Sequence, residues 1–237
     1  MLTTGIESLD ELLGGGFAPG VLTQVYGSFA TGKTTLAVQA ALLSRGKVAY
    51  VDTEGGFSPE RLAQMSRARG LDPEESLGRF LLFTPMDFKE QRRVIGGLKK
   101  AINREFSLVV VDSITAHYRV EEPHRNLTVD LGRQLQTLLW VARKHNIPII
   151  VINQVHYDSR AGRMKPVAEH TLNYRCKDVL RLDKLNSEGM RAAVLERHRF
   201  RPEGGMVYLK ITEKGIEEAL TGQGRHQTGQ TPGNFSP

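Results

Sequence analysis

Gly27-Ser28-Phe29-Ala30-Thr31-Gly32-Lys33-Thr34 has the spacing Gly, any four residues, Gly, Lys, Ser/Thr, the pattern of a phosphate-binding loop. Its residue types account for the chemistry. Two glycines let the backbone coil tightly enough for successive N–H groups to converge on one phosphate, at the positive end of the helix that starts there. Lys33 adds a mobile cation, and the Thr34 hydroxyl is an oxygen ligand for a Mg²⁺ that bridges the β- and γ-phosphates. Gly27, Ser28, Phe29, Ala30, Thr31, Gly32, Lys33, Thr34 and Thr35 are therefore the candidate residues for holding a nucleoside triphosphate, ATP or GTP.

Three more polar residues stand where strands should deliver them to this loop. Ser107-Leu108-Val109-Val110-Val111-Asp112 is an apolar run ending in a carboxylate, so Asp112 is the candidate second metal contact opposite Thr34. Glu54 lies just past the strand-like run Lys47–Asp52, where it could polarise the water that attacks the γ-phosphate. Gln154 follows Ile147-Pro148-Ile149-Ile150-Val151-Ile152 and Asn153; its amide could sense the γ-phosphate and pass that state to the next loop. The alternatives are a solvated loop acid at 54 and a strand-capping amide at 154.

Positioning these groups requires a particular scaffold. Ile6, Leu9, Leu12 and Leu13 form a short amphipathic segment closed by Gly14-Gly15-Gly16, expected to pack on the sheet edge. Val21–Tyr26 reads as a buried strand running into Gly27, and Thr34–Ser44 as the helix after the loop. Ser58 with Pro59, Asp72 with Glu75, and Asp87 with Glu90 open three further helices, the last expected to run to about Arg104. Leu127 through Ala142 keeps a helical apolar spacing, and Trp140 and Met164 are expected in core or loop packing. Strands alternating with helices predict an α/β fold: a largely parallel, twisted, doubly wound sheet with helices on both faces and its ligand at the strands' C-terminal ends. The pattern changes after Gln154. Residues 155–175 are polar, basic and turn-rich, and Asp178–Leu182, Arg191–Glu196 and Met206–Ile211 predict an antiparallel extension of the sheet. One core over 1–220 and a disordered tail over 221–237 are expected, since the tail has almost nothing to bury.

Two segments have the composition of a single-strand nucleic-acid site. Arg119, His124 and Arg125 cluster in one; His156, Tyr157, Arg160, Gly162, Arg163 and Lys165 cluster in the other. Cations serve phosphates, an aromatic ring serves stacking and a glycine serves mobility. A mobile surface loop with scattered charge is the alternative for each. The formal charge of +6 over 237 residues suits a polyanionic partner such as DNA. A lone cysteine, Cys176, rules out an internal disulfide, and no apolar stretch nears the roughly 18 residues of a membrane span. A soluble, cytoplasmic protein without a membrane partner is expected.

The runs Val51-Asp52-Thr53-Glu54-Gly55-Gly56-Phe57-Ser58-Pro59-Glu60-Arg61-Leu62, Val111-Asp112-Ser113-Ile114-Thr115-Ala116-His117-Tyr118-Arg119 and Asn153-Gln154-Val155 resemble the RecA/RadA recombinase family. The likeness extends over nearly all of residues 1–220. It implies a RecA-like ATPase core with ATP and Mg²⁺ as cofactors. Glu54 would be the catalytic carboxylate, assisted by Lys33; Gln154 would couple nucleotide to DNA, and Arg61 would stack on adenine. The loops after Tyr118 and Gln154 would line the DNA path, making Arg119, Arg125, Tyr157, Arg160, Arg163 and Lys165 the DNA-binding candidates. Larger recombinases of the family carry a helical domain and a docking linker before this core, and an Asp that caps ATP across a subunit interface. Here the core begins at once, and Arg197-His198-Arg199-Phe200-Arg201 precedes Pro202-Glu203-Gly204. These departures resemble the short archaeal paralogues. They imply a DNA-binding accessory of homologous recombination and repair with weak ATPase activity, acting with the principal recombinase or other repair proteins; whether it forms a homo-oligomer is left open by the sequence. The competing readings are a nucleotide-switched protein-interaction module without significant hydrolysis and a KaiC-like ATPase.

Overall fold

The computed structural model describes residues 1–121, 126–159 and 162–219. The elements run α1 (Glu7–Leu12), β1 (Leu22–Gly27), α2 (Lys33–Leu43), β2 (Lys47–Asp52), α3 (Pro59–Ala68), α4 (Pro73–Gly78), β3 (Phe80–Phe83), α5 (Phe88–Ala101) and β4 (Phe106–Asp112). They continue with α6 (Ala116–Val120), α7 (Leu127–His145), β5 (Ile149–Asn153), β6 (Val155–Asp158), β7 (Arg163–Pro166), α8 (Glu169–Arg175), β8 (Asp178–Lys184), β9 (Met190–Arg197), β10 (Met206–Thr212) and β11 (Gly215–Glu218).

One nine-stranded sheet has the order β11-β10-β9-β8-β1-β5-β4-β2-β3. The strands from β3 to β8 in that order are parallel, and β8 to β11 are antiparallel. The predicted α/β class and antiparallel extension are therefore what the chain adopts. Central strands are buried on both faces, and alternate residues sort into two cores. Val48, Tyr50, Leu108, Val110, Ile150 and Ile152 join α1, α2 and α3; Ala49, Val51, Val109, Val111, Ile149 and Val151 join α5 and α7. Because β1, β2, β4 and β5 are parallel, Gly27, Asp52, Asp112 and Asn153 all leave the sheet at the same edge.

Local chemistry fixes the helix starts. The Ser58 hydroxyl accepts from Arg61 N at 3.0 Å, Asp72 from Glu75 N at 2.7 Å and Asp87 from Glu90 N at 2.6 Å, each satisfying an N–H that has no partner within its helix. On α2 the buried Gln39 ties distant segments together: its Nε2 donates to Thr4 O at 2.7 Å and Ile216 O at 2.9 Å, while its Oε1 accepts from Ile216 N at 2.7 Å.

Several expectations differ in detail. Helix α5 ends at Ala101 rather than near Arg104, because Ile102 is extended and the Asn103 side chain accepts from Glu105 N at 2.9 Å, a turn that competes with helix. The turn-rich stretch 155–175 holds the antiparallel hairpin β6–β7 and helix α8. Segment α1 lies on β10, one strand in from the edge. Trp140 is 39% exposed, with Lys144 Nζ at 4.6 Å and Lys99 Nζ at 5.4 Å from its ring centre, so it caps a basic helix face instead of filling the core. The expected tail, 221–237, lies outside the described residues. Among those described, no helix is long and apolar enough to cross a membrane.

Candidate functional site

Strand β1 delivers Gly27 into the loop alongside β8. A Cβ at Gly27 would sit 2.2 Å from Leu182 O, so the close approach of the two backbones demands glycine. Gly32 caps α2 at φ 100 in left-handed geometry, where any other residue is strained. Ala30, at φ 58, takes that conformation without being glycine. Lys33 folds back over the loop, its Nζ donating to Gly27 O at 3.0 Å and Ser28 O at 2.8 Å. Burial lowers the lysine's pKa, opposed by Asp112 and Glu54. These groups fit a phosphate: a glycine cradle that a Cβ would fill, a helix start, and an ammonium held by weak neutral acceptors that a phosphate can replace.

At the end of β4, Asp112 Oδ2 accepts from Thr34 Oγ1 at 2.7 Å and from Tyr50 OH at 2.9 Å. Burial pushes the carboxyl up to about 6 against these two bonds, with Glu54 and Asp52 adding to the rise. The fully buried Tyr50 phenol is raised too, first by burial and then by Asp112. A buried, under-compensated carboxylate beside a hydroxyl offers two hard oxygens. That suits a Mg²⁺ completed by phosphate and water oxygens. Among the described residues no group of three or more His, Cys, Asp or Glu could form an all-protein metal cage.

Asp52 ends β2 opposite Asp112 and shapes the turn that carries Glu54. Its carboxylate accepts from Glu54 N and Gly56 N at 3.1 Å each and from Phe57 N at 2.9 Å. Thr53 staples this turn to β4, donating to Ser113 O at 2.7 Å and accepting from Ser113 N at 2.8 Å. Thus held, Glu54 Oε1 accepts from Gln154 Nε2 at 2.7 Å, and Gln154 Oε1 accepts from Arg119 Nη1 at 2.6 Å. Three side chains predicted separately are therefore joined in one line. Its base is firm: Thr115 donates to Asn153 Oδ1 at 2.6 Å, Asn153 Nδ2 to Val167 O at 2.9 Å, and Val167 N to Gln154 O at 2.9 Å.

That last contact closes the foot of the β6–β7 hairpin, which carries Tyr157, Arg163 and Lys165. The ladder pairs Tyr157 with Met164 on one face, and His156 with Lys165 and Asp158 with Arg163 on the other. Tyr157 is 64% exposed. Lys165 Nζ makes an ion pair with Asp158 Oδ2 at 2.7 Å. Arg125 and Arg160 lie outside the described residues. Arg61 is apart from this group: its guanidinium donates to Gln64 Oε1 at 2.5 Å, Thr212 O at 2.6 Å and Glu213 O at 3.3 Å, gripping the β10–β11 turn.

Sequence reasoning missed Tyr50, Asp52 and Arg191. Asp52 had a signal, an Asp before Thr-Glu-Gly-Gly, which is turn chemistry. Tyr50 and Arg191 had none, since both act across the sheet. Arg191, on β9 and only 9% exposed, donates from Nη2 to Ala30 O at 2.9 Å and from Nη1 to Met190 O at 2.7 Å.

The phosphate-type loop, the strand-end carboxylate and the Glu54–Gln154 contact occur together in a chain whose residues 1–219 match the family model described as Rad51. The chain belongs to the Rad51 family. Within that family it is 79% identical over 220 residues, 93% of this chain and 98% of the relative, to the DNA repair and recombination protein RadB of Thermococcus onnurineus (strain NA1). The RadB of Halobacterium salinarum (strain ATCC 29341 / DSM 671 / R1) is 39% identical over 227 residues, 92% of this chain and 95% of that one. A solved structure, "Crystal structure of the RadB recombinase", is 73% identical and superimposes with a TM-score of 0.86 over 92% of this chain and 100% of that chain. The sheet order and the antiparallel C-terminal strands are thus those of a Rad51-family core.

Proposed function

We propose that this chain binds ATP with Mg²⁺, binds DNA, hydrolyses ATP slowly, and serves as an accessory protein of homologous recombination and DNA repair that acts on or with the principal recombinase. Lys33 and the loop N–H groups hold the phosphates, Thr34 and Asp112 hold the metal, Arg61 supports the base, and Glu54 orients water. The metal, when bound, neutralises charge on the β- and γ-phosphates. The carrying observation is the line Glu54–Gln154–Arg119. It connects the carboxylate beside the phosphate loop to a cation in the segment expected on the DNA path, so a change at either end has a direct route to the other.

ATP turnover with and without single-stranded DNA tests this reading. The unsubstituted chain should turn over slowly and respond to DNA, while Glu54→Gln should lose turnover and keep nucleotide binding. Equal turnover in both proteins would remove Glu54 from its role. The second reading, a nucleotide-switched module without significant hydrolysis, is favoured by one feature: Glu54 Oε1 already accepts the Gln154 amide, so one of the two carboxylate oxygens is engaged by the protein rather than by water. Tight nucleotide binding with no turnover under any DNA condition would select it.

A further inference from the structure

We propose that Arg191 is a positioning residue for nucleotide binding, holding the phosphate loop in its binding form before any ligand arrives. The inference rests on the reading of residues 27–34 as a phosphate site and adds a residue from the far side of the sheet to it. Strand β9 is two strands away from β1, yet Arg191 reaches past β8 to the loop and donates from Nη2 to Ala30 O at 2.9 Å. The guanidinium is anchored on its other arm by Met190 O at 2.7 Å, and its Nε is buried without a hydrogen-bond partner. A cation is desolvated here, at cost, to grip one carbonyl of the loop.

What that grip does follows from peptide geometry. Ala30 sits at φ 58, a left-handed conformation that residues other than glycine avoid. An alanine held there needs an external contact to keep it from relaxing. The peptide between Ala30 and Thr31 is planar, so fixing the Ala30 carbonyl on Arg191 turns the Thr31 N–H the opposite way, away from β9. In a loop that binds anions through its N–H groups, a peptide that contributes its N–H must turn its carbonyl the other way. Arg191 turns one such peptide, and its charge adds to the positive field of the loop.

The test couples the two residues. Affinities for Mg-ATP and Mg-ADP are measured by displacement of a fluorescent nucleotide, with circular dichroism and thermal unfolding as folding controls. Arg191→Met should bind about tenfold more weakly. Ala30→Gly is measured on its own as the reference for the double variant, because glycine takes the left-handed conformation without strain and needs no clamp to stay there. The double variant should recover most of the loss, which a general packing role of Arg191 would not produce. Arg191→Lys, which keeps the charge but has one point donor in place of the fork, should fall between, and this variant carries the test if the methionine variant does not fold. Undiminished affinity in a folded Arg191→Met or Arg191→Lys protein overturns the proposal, as does a loss that Ala30→Gly leaves untouched. No nucleotide binding by the unsubstituted chain would remove the phosphate-site reading itself, and this inference with it.

Discussion

Gln154 holds Glu54 with its amide nitrogen at 2.7 Å and Arg119 with its amide oxygen at 2.6 Å, so one side chain is bonded at both ends to residues of opposite charge. A neutral amide is suited to this place because it donates at one end and accepts at the other. A carboxylate there would repel Glu54, and an apolar residue would leave both neighbours unpaired. Gln154→Ala should therefore leave basal ATP turnover within about threefold but abolish its response to single-stranded DNA. Steady-state turnover across a DNA titration checks this, and a retained response would place the coupling elsewhere.

The Asp112 carboxyl gives a pH signature. Its folded pKa of about 6 stands above its ordinary value of 3.8 because of burial. The folded state thus binds more protons between those values, and stability is lost as pH rises through that window and stays level above it. Asp112→Asn should remove that loss, making the ligand-free protein more stable relative to the unsubstituted chain at pH 8 than at pH 4, by up to about 3 kcal/mol. Urea unfolding at the two pH values measures the difference; the same offset at both would contradict the buried-charge account.

Removing the Gln39 amide should cost stability. Gln39→Leu keeps the volume but strands Ile216 N and leaves the carbonyls of Thr4 and Ile216 without this donor. A loss of about 3 kcal/mol is expected from buried groups left unpaired, read from the denaturant midpoint.

The hairpin cations should show in the salt dependence of DNA binding. Arg163 and Lys165 share the face of β6–β7 that also carries His156 and Asp158. Arg163→Ala with Lys165→Ala should lower the slope of log affinity against log salt for single strands by about 1.4, two contacts at about 0.7 each. An unchanged slope would move the DNA path away from this hairpin.

What could be read from the sequence was what is written locally. The loop, its flanking strand and helix, and Asp112 at the end of an apolar run are contiguous patterns, and the side-chain caps at Asp72, Asp87 and Ser58 are spelled out within four residues. Helix α8 was not legible: its N-cap is Ala168 in left-handed geometry without a capping side chain, and only Leu172 is buried, so neither a start signal nor an apolar stripe marks it. The hairpin β6–β7 offered too short an alternation to separate it from a turn-rich loop. Tyr50 and Arg191 lie far from the groups they touch in sequence, 62 and 161 residues from Asp112 and Ala30. Contacts of that kind are set by sheet order, which spacing alone does not contain.

Gln39 has one more consequence. A single amide nitrogen reaches both Thr4 and Ile216, so the first and last described segments of the chain lie side by side. A short flexible linker from beyond Glu218 back to the first residues would bridge that gap without strain. The chain could then be reopened at an exposed turn, such as the one carrying Ser187 and Gly189, to give a circular permutant with the same strand order.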